Sequence, residues 1–203
     1  MSDCVMFCYA CELTLDPNTA HRQLILSEDN RQVKYVEEEQ PYPYHPERFD
    51  HLQQLLCTTG LTGRCYWEVE TKGLSCMAVA YRGMRRRGNY NDCMFGRNDK
   101  SWSLGYDGGY YLWHNNTGTD IRPCFKETPR AAVYLDWPAG TLSFYIISSD
   151  TLTHLYTSYS RFSEPLYPGF GFELDMWKPS RPGSSLSLCQ IDEGTSVRQN
   201  SKE

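Results

Sequence analysis

Apolar and polar residues alternate in several short stretches of this chain, which is the pattern of β-strands with one buried face. Between residues 65 and 70 the odd-numbered positions are apolar, and the even-numbered side carries Glu68 and Glu70. The same alternation recurs at residues 77–81, 102–106, 131–137 and 142–146. It places three tryptophans in the predicted core, Trp67, Trp102 and Trp137. The face that carries the two glutamates is predicted to be solvated or salt-bridged.

Turn-forming residues separate these stretches. Polar residues 28–31 divide the β-compatible segments 23–27 and 32–36, which predicts a hairpin. Residues 37–46 contain three consecutive glutamates and three prolines, which predict a loop. One proline and two glycines in residues 166–172 predict an irregular or edge strand. Because no long stretch has the helical period of about 3.6, the pattern predicts an antiparallel β-sandwich or barrel with at most short helical turns.

Composition narrows the class of protein. The chain has 203 residues, 40% of them hydrophobic, which suits one compact domain. A formal net charge of −5 and the lack of a broad basic region argue against nucleic-acid binding. No apolar run approaches the roughly 18 residues that cross a bilayer, so stable membrane insertion is not expected. No phosphate-binding loop, nucleophile elbow or zinc-binding helix motif occurs, so neither an enzyme nor a bound cofactor is predicted.

Nine cysteines are scattered through the chain. An odd number in a chain of this length is typical of free, buried thiols in a reducing cytosol, not of a secreted disulfide framework. Cys4, Cys8 and Cys11 have the close spacing of metal ligands, with His21 as the nearest further candidate. A structural zinc site needs four ligands, and no second pair follows nearby, so a metal site is not predicted.

Several ordered segments resemble the PRY-SPRY family. Residues 13–17, Leu-Thr-Leu-Asp-Pro, and the Leu-Ile-Leu-Ser that follows at 24–27 resemble the PRY opening. Residues 63–70, Gly-Arg-Cys-Tyr-Trp-Glu-Val-Glu, resemble the start of SPRY. Three further segments are similar to family motifs, at 95–104, 133–145 and 165–170. In the segment 133–145 the family usually has Tyr-Glu where this chain has Trp137 and Pro138, which puts the hydrogen bonding of that turn in question.

The resemblance implies a concanavalin-like jelly roll of two stacked antiparallel sheets, with variable loops at one end that bind a protein partner. It covers a PRY segment at 11–60 and a SPRY segment at 61–191 that form one domain. Residues 1–10 are then a linker or disordered N-terminus, and 192–203 a disordered tail. Such domains commonly end tripartite-motif ubiquitin ligases, butyrophilins and fish NOD-like receptors, so the remaining domains of a parent protein are expected as partners. The sequence also resembles the C-terminal domain of secreted stonustoxin-type pore-forming toxins.

The candidate partner-binding residues lie in five predicted loops, at 42–49, 82–95, 113–121, 149–155 and 173–182. They are Tyr44, His45, Arg85, Arg86, Arg87, Tyr90, His114, Asn115, Met176, Trp177 and Lys178. Guanidinium groups match carboxylates and phosphates, and an exposed tryptophan is typical of an interface hot spot. Arg86→Glu or Trp177→Ala is therefore expected to abolish partner binding without lowering the melting temperature.

Each of these features also has a structural interpretation. The arginine run can be a solvated loop, and Trp177 can cap the edge of the core. Asn115 begins a glycosylation pattern that matters only in a secreted protein. Three functions therefore stay open: a cytosolic recognition module, which is favoured; a secreted toxin domain that contacts membrane or glycan, which nine free thiols would exclude; and a hydrolase on a lectin-like sandwich, which needs a cleft with a perturbed acid–base pair.

Overall fold

The computed structural model describes residues 4–106, 109–121, 129–149, 151–175, 178–179, 181–191 and 198–199. In these ranges the strands are β1 (Leu24–Leu26), β2 (Gln32–Tyr35), β3 (Gln54–Leu56), β4 (Arg64–Lys72), β5 (Cys76–Tyr81), β6 (Ser101–Tyr106), β7 (Tyr110–His114), β8 (Thr117–Ile121), β9 (Arg130–Asp136), β10 (Thr141–Ser148), β11 (Thr151–Tyr159), β12 (Leu166–Gly171), β13 (Glu173–Asp175), β14 (Lys178–Pro179), β15 (Ser185–Leu188) and β16 (Arg198–Gln199). Two short helices accompany them, α1 (Cys4–Phe7) and α2 (Tyr90–Cys93).

The strands form two large sheets that pack face to face. One has eight strands in the order β1-β2-β15-β4-β9-β10-β11-β16, and the other has six in the order β3-β12-β5-β6-β7-β8. The pairings within them are antiparallel except for β11 with β16. The main core lies between the sheets and joins Phe144 of the eight-stranded sheet to Phe170 of the six-stranded one. The predicted antiparallel β-sandwich is confirmed.

Strand β4 has the predicted buried face, but its other face is also covered. Trp67 lies in the main core, whereas Tyr66 and Glu68 on the opposite face are only 0% and 2% exposed. The Tyr66 hydroxyl donates to Glu68 at 2.7 Å, and the Arg130 guanidinium pairs with the same carboxylate at 2.5 Å. Glu70 keeps the predicted solvent exposure, and Glu68 has the salt bridge that was predicted as the alternative, although it is buried. Burial raises the pKa of Tyr66, so the hydroxyl keeps its proton for this hydrogen bond.

Residues 4–10, here called the strap, cover this outer face of the eight-stranded sheet. Met6 is 3% exposed, and the Phe7 ring packs edge-on against Tyr66 at 5.0 Å between ring centroids. The backbone N–H of Tyr66 donates to the carbonyl of Tyr9 at 2.8 Å. The prediction of a linker or disordered end at residues 1–10 is therefore wrong for the strap, because the aromatic face of the sheet supplies a surface on which it packs. Residues 1–3 lie outside the described residues.

Strand β12 is a continuous interior strand, which corrects the prediction of an irregular or edge strand. It pairs with β3 on one side and β5 on the other. Pro168 is accommodated because it lies just past the β3 ladder, where its carbonyl accepts a hydrogen bond from Cys57 N at 2.7 Å. Gly169 is required by packing, since a Cβ there would lie 2.8 Å from the Phe95 ring. Gly169, which had suggested an edge strand, instead leaves room for the tightly packed Phe95 ring.

The three tryptophans divide between core and surface. Trp67 and Trp102 are 2% and 3% exposed, as predicted, but Trp137 is only half-buried because it begins the β9–β10 turn. Its indole N–H donates to the carbonyl of Glu164 at 3.0 Å. The Asp136 carboxylate accepts from the backbone N–H of Ala139 at 3.1 Å, so the departure from the family motif leaves the turn hydrogen-bonded.

Two of the predicted loops, and part of the predicted tail, form strands. Residues 151–155 belong to β11, which follows β10 through a turn at Ser149. Within 173–182, the short strands β13 and β14 pair with each other. Of the predicted disordered tail 192–203, residues 198–199 form β16, and the others lie outside the described residues.

The outer face of the six-stranded sheet carries two of the predicted loops, 42–49 and 82–95. Strand β5 alternates, with Val79 in the main core and Ala78 and Ala80 on the other face. Small side chains there leave room for Phe49 and Phe95, whose ring centroids are 5.5 Å apart. The segments that carry these two rings are thereby fixed to the sheet by a second hydrophobic cluster.

Candidate functional site

Two of the predicted loops, 42–49 and 82–95, meet on the outer face of the six-stranded sheet. Arg82, at the end of β5, pairs with Glu47 through two hydrogen bonds and with Asp16 at 3.3 Å. The Arg82 guanidinium also lies 5.1 Å from the Tyr167 ring centroid. Hydrogen bonding to Arg82 holds the pKa of Glu47 below its usual range, so the carboxylate stays ionised. This cluster joins the PRY segment to the SPRY segment.

Arg86 is a structural residue and not a candidate contact, which corrects the prediction made for the triple arginine. It is 7% exposed, and its guanidinium donates to the carbonyls of Arg82, Met84 and Glu47. It also lies 4.7 Å from the ring centroid of Phe49. Burial lowers the pKa of Arg86 to about 10, so it remains protonated at neutral pH. Arg86 therefore offers a partner little exposed surface.

Arg85 and Arg87, on either side, point outward. The Arg85 side chain is 71% exposed and forms a 3.0 Å ion pair with Asp92. The Arg87 guanidinium lies 5.1 Å from the ring centroid of Tyr44, which is itself 71% exposed. Asp50 lies 3.9 Å from Arg87. Residues 46–47, 82 and 84–87 line a shallow depression of about 430 Å³ beside these exposed groups.

Of the other predicted residues here, His45 is half-buried and accepts the backbone N–H of Glu47 at 3.2 Å. Tyr90, the first residue of α2, packs on a small cluster with Leu52 and Met94. Both therefore support the loops as much as they face outward.

The tip of the β7–β8 hairpin adjoins the same surface. Asn115 and Asn116 have φ values of 48° and 59°, the left-handed pair typical of a two-residue hairpin turn. Asn115 is exposed, and its backbone N–H donates to the carbonyl of Asn98 at 3.0 Å. The Lys100 ammonium reaches the Gly83 carbonyl at 3.3 Å. The hairpin tip, residues 94–100 and the loop that carries Arg85–Arg87 therefore form one continuous surface.

His114 is engaged inside the fold. Its ring stacks on Trp102 at 4.3 Å between centroids and an interplanar angle of 5°. Its Nδ1 donates to the carbonyl of Ser101 at 2.9 Å. The residue aligns the hairpin with β6, and neither a ligand nor a catalytic role is needed to explain it.

The sequence interpretation missed one exposed cluster on this surface. The Arg97 guanidinium lies 3.5 Å from the ring centroid of half-buried Trp113. Arg97 also approaches the Asn116 side chain at 3.5 Å. Trp113 is only one residue from the predicted His114, and its alternation with buried Leu112 was the available signal.

We call residues 42–49, 82–100 and 113–117 the loop face. The predicted loops 149–155 and 173–182 are not part of it. Residues 82–100 leave β5 at Tyr81, which pairs with Leu166, whereas 173–182 follows β12 beyond Gly171, which pairs with Cys76 at the other end. Only three residues separate β4 from β5, so the end of β4 lies near the Cys76 end of β5. The β10–β11 turn lies at this same end. Met176 and Trp177 lie outside the described residues, and of Lys178 only the backbone is described, as the first residue of β14.

The cysteines differ from the prediction of free thiols throughout. Cys11 and Cys65 form a disulfide with their Cα atoms 5.6 Å apart. Cys57 is fully buried among apolar side chains.

In the ranges that the structure describes, no group of three or more His, Cys, Asp or Glu side chains is placed to hold a metal ion. Over the same ranges, no helix is long and apolar enough to cross a membrane.

Comparison with known proteins places this architecture in a family. The family description "PRY: SPRY-associated domain" matches residues 13–61, and "SPRY domain" matches residues 64–180. The solved TRIM65 PSpry domain superposes with a TM-score of 0.79 at 28% identity, covering 92% of this chain and 94% of that one.

Relatives of two kinds share the sequence. Stonustoxin subunit beta of Synanceia horrida is 44% identical over 80% of this chain and 23% of its own length. Tripartite motif-containing protein 16 of Mus musculus is 39% identical over 80% of this chain and 30% of its own length. The chain thus spans between a fifth and a third of these two proteins. With both halves of the domain matched, the chain belongs to the PRY-SPRY family.

Proposed function

We propose that this domain is a protein-recognition module that binds its partner through the loop face. The observation that carries the proposal is the convergence there of exposed Tyr44, Arg85 and Arg87 from segments separated in sequence. Aromatic and arginine side chains are the residue types enriched at binding hot spots. The candidate contacts Asn115 and Arg97–Trp113 extend the same surface.

The exposed ion pairs within the loop face are weak enough to be replaced by contacts with a partner. Arg85 and Arg87 are paired with Asp92 and Asp50, but both pairs are solvent-exposed. Exposed ion pairs contribute only about 0–1 kcal/mol, so a partner carboxylate can replace them at little cost. The buried Arg86 below holds the backbone fixed, which reduces the entropy lost on binding. Recognition of a protein ligand needs no cofactor or catalytic group, and we propose none.

Substitution of exposed residues tests the proposal. Immobilised wild-type domain and variants are incubated with one cell extract, and retained proteins are quantified by mass spectrometry. A specific partner should be retained by wild type and by Tyr159→Ala, and should bind Tyr44→Ala and Arg87→Ala at least about tenfold more weakly. Tyr159 is a matched control, because it is 79% exposed but borders a different depression beside Trp137.

All three variants should have the melting temperature of the wild type, since each removes an exposed side chain. Equal retention of every protein by Tyr44→Ala, Arg87→Ala and the wild type would contradict the proposal. So would equal loss of the same partner in Tyr159→Ala.

A second candidate function is that of a C-terminal domain of a secreted stonustoxin-like toxin that contacts membrane or glycan. It is favoured by the 44% identity with stonustoxin subunit beta and by the Cys11–Cys65 disulfide, which suits an oxidising compartment. This function predicts that the purified domain co-sediments with erythrocyte membranes. A domain that stays entirely in the supernatant contradicts it and leaves the recognition of a soluble protein as the function of the loop face.

A further inference from the structure

The strap is attached to the sandwich at one covalent point. Cys11, directly after the strap, is bonded to Cys65 in β4. Cys11 is half-buried and Cys65 is 2% exposed, so Cys11 is the more accessible residue of the pair. The next firmly buried residue along the chain is Leu13, at 2% exposed.

The noncovalent contacts of the strap are few but specific. Ala10 forms a parallel bridge with Tyr66, flanked by the two main-chain hydrogen bonds from Tyr66 N to Tyr9 O and from Cys11 N to Tyr66 O. The Arg64 guanidinium lies 5.4 Å from the Tyr9 ring centroid. Met6 is the only strap side chain among the fully buried members of the outer-face cluster in the described residues. Short segments with so little buried area open easily.

Aromatic side chains lie beneath the strap. Tyr66, Tyr134 and Tyr145 are 0%, 5% and 8% exposed, and the Tyr145 hydroxyl contacts the Met6 sulfur at 3.4 Å. Glu68, hydrogen-bonded to Tyr66, lies under the same surface. Lifting the strap would expose an aromatic face with a buried charge at its edge, on the opposite side of the sandwich from the loop face.

We propose that the Cys11–Cys65 pair is a redox-modified site, and that its thiol–disulfide state controls whether the strap covers the outer face of the eight-stranded sheet. When the disulfide is formed, the strap is held by a fixed point at its own end. When both thiols are reduced, the strap is held only by noncovalent contacts, which are the Met6 side chain, the Phe7 and Tyr9 rings and a few backbone hydrogen bonds, and it opens.

The reaction is exchange with a small cellular thiol such as glutathione. A first glutathione thiolate attacks the Cys11 sulfur, the Cys11–Cys65 bond breaks, and Cys65 leaves as a thiolate that takes up a proton. A second glutathione attacks the mixed disulfide and releases the Cys11 thiol. Two glutathione molecules are oxidised to one glutathione disulfide, and the protein disulfide gains the two electrons as two thiols.

Hydrogen exchange in defined glutathione buffers tests this site. The full chain is equilibrated at several ratios of reduced to oxidised glutathione. One portion is alkylated to measure the state of Cys11 and Cys65, and another is exchanged into D₂O and digested for mass spectrometry. Exchange at the backbone amides of residues 6–11 should rise at least tenfold as the two cysteines become alkylatable together, while β9 and β10 stay protected.

Two variants make the test specific. Cys11→Ser/Cys65→Ser should exchange like reduced wild type in every buffer. Cys8→Ser, which alters an exposed thiol within the strap, should keep the wild-type dependence on the glutathione ratio. Unchanged strap protection with both cysteines fully alkylated would overturn the proposal. So would two alkylatable thiols at the most oxidising ratio.

Discussion

Replacing Arg86 tests how the loop face is built. Arg86→Ala removes a guanidinium that donates to three carbonyl groups and stacks over Phe49. Hydrogen bonds from a charged donor are worth about 1.5–3 kcal/mol each, and the ring contact adds roughly 1 kcal/mol. Against this, the lowered pKa, about 10, shows that burying the charge is itself unfavourable by about 3 kcal/mol. The difference spans about 2.5–7 kcal/mol, and we expect a net destabilisation of about 3–4 kcal/mol because single substitutions that cost more than about 4–5 kcal/mol are exceptional.

For a domain of this size, each kcal/mol lowers the melting temperature by roughly 2–4 °C, so Arg86→Ala should melt about 6–16 °C below the wild type. Arg86→Glu should be worse, because a carboxylate would face carbonyl oxygens. Arg85→Ala is the matched control: its side chain is 71% exposed, and the change should stay within about 0.5 kcal/mol.

The assay is thermal unfolding by circular dichroism, with urea denaturation to obtain the free energy. If Arg86→Ala and Arg85→Ala unfold within 2 °C of each other, the structural role of Arg86 is refuted. In that case the carbonyl groups must be satisfied by water, and the original expectation of three equivalent arginines would return.

Two further predictions concern other parts of the fold. His21 is 7% exposed; Gln23 N donates to its Nδ1, so the neutral ring donates from Nε2 to Asp50 O, and burial lowers its pKa below 6.5. The unfolded ring takes up its proton at a higher pH, so the free energy of unfolding should fall as pH drops below about 6.5. In urea titrations, His21→Gln should lose this pH dependence and His51→Gln should keep it. Gly118→Ala should destabilise by about 1–3 kcal/mol in urea and alter tryptophan fluorescence, because its Cβ would lie 2.8 Å from the Trp113 ring. Gly63→Ala, whose Cβ would meet nothing within 4 Å, should not; equal effects in the two variants would contradict the packing argument.

The fold was largely predictable from the sequence because alternation depends on one face of each strand meeting the core. It identified β4, β5, β6, β9 and β10 without knowledge of their partners. It was less informative where a strand is covered on both faces. The predicted salt bridge of Glu68 is present, but the burial of Tyr66 was not predictable because nothing in its own segment shows that the strap, more than 50 residues earlier, packs over it. Likewise, Gly169 looks like an edge signal until Phe95 is known to pack against it.

The sequence predicted the loops 42–49 and 82–95 but not which of their arginines is buried. Arg85, Arg86 and Arg87 are consecutive and chemically identical, and a loop has no period from which to infer orientation. Only the carbonyl groups of Glu47 and Arg82, brought together by the folded chain, select Arg86 as the buried one.

The buried and exposed arginines are linked through loop 42–49. Arg86 binds the carbonyl of Glu47 while the Glu47 side chain binds Arg82, so loop 42–49 is joined to the end of β5 through both its backbone and its side chain. That attachment holds Tyr44 against Arg87, the two exposed groups proposed to meet a partner. Loss of Arg86 should therefore weaken binding as well as stability, whereas Arg87→Ala should weaken binding alone. In the proposed function the exposed pair contacts the partner, and the buried arginine fixes the position of that pair.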